Sequence, residues 1–171
     1  MAVRDGEHDA VPGDGRDETE TERLDRNWNG LLQELRILQT GTQILTGFLL
    51  TVAFQQRFPQ LDAFPKTLYG VLVVLAAAST IIALAPVALH RALFRRRAMA
   101  DLVRISHRLV RVSLGVTAVT TVGVVLLVLD VAIGPAAGVA GAALAVLGLV
   151  GLWLVLPART VAGESRRGTP V

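Results

Sequence analysis

The sequence predicts an all-α fold: a four-helix transmembrane bundle of two α-hairpins, led by an amphipathic N-terminal interfacial helix. Three observations carry this. Of the 171 residues, 52% are hydrophobic and 18% charged, where a soluble domain carries roughly 25% charged. The apolar excess is segregated, because 37–56, 67–90, 112–129 and 131–158 contain no Asp, Glu, Lys or Arg. Each stretch approaches or exceeds the roughly 20 apolar residues that cross a bilayer core as helix. Finally, Pro59 and Pro65 fall between the first two stretches and the Gly134-Pro135 pair near the start of the last, where chain reversals need them.

In chain order, residues 1–18 form an acidic, glycine-containing tail with few apolar side chains. Such a segment buries too little surface to offset its ordering entropy, so disorder is expected. Thr19 and Glu22 then stand at capping-box spacing, each satisfying backbone groups at a helix start. Leu24, Trp28, Leu31, Leu32 and Leu35 follow at helical intervals, with Glu22, Arg26, Asn29, Gln33 and Arg36 largely opposite. This amphipathic lead, 19–36, is expected along the inner membrane interface with Trp28 as its anchor at headgroup level. The weak helix formers Asn27, Asn29 and Gly30 offer a bend before the first span; one straight helix from about Thr21 to Phe54 is the competing geometry.

The four-span domain covers 37–157, with spans at about 37–54, 67–89, 112–129 and 136–156. A tail, 158–171, closes the chain. Span one is the most polar, and Gln39, Thr40 and Gln43 form a candidate intramembrane polar seam. Glutamine in hydrocarbon needs a partner, and the expected role is helix–helix adhesion inside the bundle. A polar lining for a solute or ion is the alternative. Gly134, Gly138 and Ala142 in span four recur every four residues, as do Ala137, Gly141 and Ala145. Such faces permit close helix approach, within the bundle or between copies.

Composition narrows the chemistry. With no cysteine, disulfides, iron–sulfur clusters and thiolate metal sites are excluded. Arginine supplies 16 of the 17 basic residues, a bias that a GC-rich bacterial genome produces without implying chemistry. Residues 1–26 hold nine acids and four arginines, which is not the positive opening of a cleavable signal. The first apolar segment is therefore expected to act as an uncleaved signal anchor. His8, His90 and His107 are isolated in sequence, so no metal site is expected. No phosphate loop or nucleophile motif occurs either.

Charge sets the orientation. Thirteen arginines flank one set of span ends, including Arg97, Arg104, Arg108 and Arg111 of the basic connector. The opposite ends carry only Arg57 and Lys66. Basic residues stay cytoplasmic, so both termini and the connector are expected inside a bacterial plasma membrane. The connector arginines are candidate contacts for anionic lipid headgroups. Glu34 and Asp130 are boundary carboxylates; Asp130 lies 19 residues after Arg111, roughly 28 Å along a helix and far from the midplane.

The run Glu22-Arg23-Leu24-Asp25-Arg26-Asn27-Trp28-Asn29, with Leu31-Leu32-Gln33-Glu34-Leu35-Arg36 and Gln39-Thr40-Gly41, carries a resemblance. It continues through Ala85-Pro86, His90-Arg91, Leu93-Phe94-Arg95 and Asp130. Over about residues 17–157 the chain resembles a family of small bacterial four-span membrane proteins of unknown function. Such proteins often bear an automatic sodium:proton antiporter label. The resemblance implies the four-span topology and brings no catalytic residues.

The functional expectation is a non-enzymatic, membrane-embedded partner, scaffold or modulator without a cofactor. Membrane lipids are the expected partners, together with a second copy or another membrane protein, and nucleic acid is not. The alternative is a small cation/proton transporter or transporter subunit. A carboxylate deep in a span would favour it, and the sequence places none there.

Overall fold

A computed structural model describes residues 18–93, 99–155 and 158. Residues 1–17, most of the predicted acidic tail, lie outside the described residues, as do Arg97 and residues 159–171. The described chain is helical, with no strand: α1 is Glu20–Ala53, α2 Ala63–Leu93, α3 Met99–Ala132 and α4 Pro135–Val150.

The start of α1 obeys the predicted capping box. The Thr19 backbone N–H and hydroxyl each donate to Glu22 Oε2 at 2.9 Å. The Glu22 N–H donates to Thr19 Oγ1 at 3.3 Å. These bonds, the backbone one first, hold the Glu22 carboxyl below its ordinary pKa. A carboxylate depressed in the folded state adds stability above its unfolded pKa, and that contribution is lost as pH falls through the folded value. Acidification below the ordinary carboxylate range should therefore fray the first turn before the rest of α1. The check is the amide-exchange protection factor of Glu22, which should fall with acid in the native chain and be low throughout in Thr19→Ala. Protection indifferent to both changes would contradict the cap.

Of the bent lead and the straight helix that the sequence leaves open, the structure has the continuous one: α1 is a single 34-residue helix. Asn27, Asn29 and Gly30 are all accommodated within it. The reason lies in its burial pattern. Trp28, Leu31, Leu35, Thr42 and Leu49 are buried, with Leu24, Leu38 and Leu45 half-buried between them. Alternating steps of three and four place all eight on one line, the seam of a coiled-coil-like packing. Tertiary packing along that seam outweighs the weak propensity of three residues, each costing under about 1 kcal/mol.

The same alternation governs α2 and α3. On α2 the line runs through Tyr69, Leu72, Ala76, Ser79, Ala83, Pro86 and His90, and on α3 through Val103, Ser106, Val110, Ser113, Thr117, Thr120, Val124, Leu127 and Val131. A short 3₁₀ turn, Phe58–Gln60, sits between α1 and α2. Phe58 meets Tyr69 edge-on at 4.9 Å, and Lys66 Nζ donates to the Pro59 carbonyl at 2.9 Å. Gly134 has φ 137°, a left-handed conformation that glycine alone adopts freely. Pro135 then opens α4, and a five-residue π-helical turn, Gly151–Val155, continues it.

The described residues fall into two compact units, one within Met1–Gln43 and Ala78–Gly115, the other within Ile44–Ala77 and Val116–Val171. The first is built on Trp28, Leu31, Leu35, Ala83, Leu102, Val103 and Val110. The second is built on Leu49, Leu72, Ala76 and Leu127. In this second unit the small residues of α4 pack against α3. A Cβ at Gly138 would lie 2.9 Å from the Leu126 carbonyl oxygen, and one at Gly141 would meet Leu129 and Val125. The small-residue face thus serves packing within the chain.

Candidate functional site

No three His, Asp or Glu side chains converge among the described residues. What distinguishes the chain is where its polar and apolar side chains lie. The fully buried positions include Ser79, Ser106, Ser113 and Thr120. In the first unit, the Ser79 and Ser113 hydroxyls lie 3.3 Å apart, and Ser113 Oγ also donates to the Ser79 carbonyl at 3.4 Å. Such short side chains let α2 and α3 approach closely. The exposed positions include Val74, Ile81, Leu84, Val119, Val139, Leu144 and Leu147. The core is largely apolar, with Leu31, Leu49 and Leu72 also fully buried, but the exterior is apolar as well, unlike that of a protein folded in water, where large aliphatic side chains are the ones most often buried.

Among the described residues, three helices are long and apolar enough to cross a membrane: Ala63–Ala92, Asp101–Ala132 and Pro135–Val155. The predicted first span is not among them. Its helix, α1, carries the candidate polar seam, and the structure places that seam differently from the expectation of adhesion inside the bundle. Thr40 and Gln43 are exposed and Gln39 is half-buried. The Thr40 hydroxyl donates to the Arg36 carbonyl one turn back, at 2.9 Å. Thr40 and Gln43 sit on the face opposite the buried line of Trp28, Leu31, Leu35 and Thr42. The earlier positions on that outward face are Arg26, Asn29, Gln33 and Arg36, all exposed.

Trp28 also departs from expectation. It is 8% exposed, and its indole stacks on the His90 ring, with centroids 4.9 Å apart and planes 16° from parallel. Its place is in the packing of the first unit and not on a headgroup-facing surface. Two signals in the sequence point the same way. Trp28 falls on the long heptad line of α1 once the polar Thr42 is admitted to the pattern, and His90 occupies the matching line on α2.

Both boundary carboxylates lie near helix ends or outside the apolar stretches. Glu34 is exposed, and Asp130 is half-buried three residues before Ile133. Arg104, Arg108 and Arg111 are exposed along one face of α3, opposite the buried Leu102, Ser106 and Val110. Arg104 approaches Asp101 at 3.7 Å, a weak surface pair one turn apart. Arg111 Nε donates to the His107 carbonyl at 3.4 Å. The second unit holds an apolar cavity of about 310 Å³ between the ends of α1 and α3, with Arg57 at its edge.

These features define, over the described residues, an all-helical protein with an apolar exterior, three of whose helices are long and apolar enough to cross a membrane. Residues 17–157 match the model of a family of unknown function, DUF6328, and the chain belongs to that family. No curated protein matches the chain, and no solved structure does.

Proposed function

We propose that the protein is a multi-pass integral protein of a bacterial plasma membrane, acting without catalysis as a membrane-embedded partner, scaffold or modulator. In this reading α1 is the fourth span and both termini are cytoplasmic. The supporting observation is the apolar exterior: large aliphatic side chains stand outward along the helices, Ile81 and Leu144 being 69% and 70% exposed. In water those aliphatic surfaces would drive aggregation. In hydrocarbon they are solvated, and contacts such as Ser79 with Ser113, together with small residues, hold the helices together. Arg104, Arg108 and Arg111, on the cytoplasmic side in this topology, face anionic headgroups, each attracted by about 1 kcal/mol near the surface. Transport receives no comparable support, since neither Glu34 nor Asp130 stands at mid-depth.

Topology mapping tests this reading. The protein should remain in the membrane pellet after alkaline carbonate. A tag between Gln60 and Asp62 should react with an impermeant reagent from outside, and one after Val171 only once the cells are opened. Release by carbonate would remove the membrane assignment. Labelling of the 60–62 tag only from inside would reverse the orientation.

A further inference from the structure

We infer that the outward polar face of α1 is a pairing surface for a second copy of the chain, closed at mid-membrane by Gln43. The inference rests on the membrane reading above. Arg26, Asn29, Gln33, Arg36, Thr40 and Gln43 follow one another at steps of three or four, all exposed. They lie opposite the seam through which α1 packs into its own chain. At the cytoplasmic end this face needs no cover, because water solvates it, and Arg26 is already engaged by Glu18, with Nε donating to Oε2 at 3.0 Å. Gln43 is different. It lies seven residues beyond Arg36, about 10 Å deeper along the helix.

Lipid tails offer a carboxamide neither donors nor acceptors, so an exposed glutamine at that depth requires a protein partner. Thr40 is partly satisfied by its bond to the Arg36 carbonyl; the Gln43 amide has no such route among the described residues. A second copy answers the need for a specific chemical reason. An amide carries both donors and acceptors, so it is complementary to itself. The arginine distribution inserts every copy in the same orientation. Two parallel α1 helices related by a twofold axis therefore bring Gln43 to Gln43 at equal depth, in an isologous contact. A single polar residue on an otherwise packed seam fixes register and partner number in coiled coils, and Gln43 would do so here.

The chain contains no cysteine, so single cysteines can report this geometry in native membranes. Under mild oxidation, Thr40→Cys and Gln33→Cys should give a disulfide-linked band of twice the chain mass. Glu34→Cys and Phe48→Cys, exposed but off the stripe, should give severalfold less. Adding Gln43→Leu to Thr40→Cys should reduce the linked fraction severalfold, while Gln43→Asn should retain most of it. Equal linking at all four positions, or no loss with Gln43→Leu, would overturn the inference. A Thr40→Cys adduct of a different mass would do so as well, assigning the face to another protein. Each variant is first shown to resist carbonate extraction. Failure there counts against the membrane reading, and failure of linking in extraction-resistant protein counts against the pairing alone.

Discussion

Replacing Gly138 with alanine should destabilise the α3–α4 packing more than replacing Gly141, although both glycines sit on the same side of α4, toward α3. The added methyl at Gly138 would stand 2.9 Å from the Leu126 carbonyl oxygen, 3.0 Å from Asp130 Cβ and 3.1 Å from the Asp130 nitrogen. Two of those atoms belong to the backbone of α3, which can give way only if the helices separate. At Gly141 the methyl meets the Leu129 and Val125 side-chain ends, which can change rotamer. Overpacking of a fixed site costs typically about 1–3 kcal/mol, so Gly138→Ala is expected in that range and Gly141→Ala below it. Thermal unfolding of the two purified variants in the same detergent decides between them. An equal loss for both would mean that α3 and α4 are free to move apart.

The same face shows how far the sequence could be read. Gly134-Pro135 marked the turn, and the recurrence of glycine and alanine marked α4 as a close-packing helix. Whether that face served the chain itself or a second copy was not decidable, because glycine leaves no side chain whose chemistry names a partner. The helical class and the charge-free stretches were legible, since hydropathy over 20 residues is a strong signal. The inward side of α1 was not. Its seam passes through Thr42, and buried threonines and serines look in sequence like the polar residues of an outward face. Only the spacing distinguishes Thr42, on the buried line, from Thr40 and Gln43, on the opposite one. For the same reason the apparent bend at Asn27, Asn29 and Gly30 was misleading: propensity is local, whereas the packing that keeps α1 unbroken extends along its whole length.

Trp28→Ala should be the most damaging single change in the first unit. The indole is 8% exposed and belongs to the cluster of Leu31, Leu35, Ala83, Leu102 and Val103, with Leu24 and Leu89 at its margins. Its ring also stacks on His90 at 4.9 Å, an aromatic contact adding about 0.5–1.5 kcal/mol beyond area burial. Removing a buried tryptophan costs about 3–5 kcal/mol in transfer energy and residual cavity, a large part of a typical domain's total stability. Trp28→Phe, which keeps a ring against His90, should cost much less. A headgroup anchor would behave otherwise, since its removal would weaken membrane affinity and leave internal packing intact. Fluorescence separates the two roles. With Trp153→Phe as background, brominated lipid should quench Trp28 weakly, whereas Trp153, 43% exposed, should be quenched strongly in a Trp28→Phe background. Strong quenching of Trp28, with Trp28→Ala no more costly than Ile37→Ala at a 73% exposed site, would return the indole to the lipid interface.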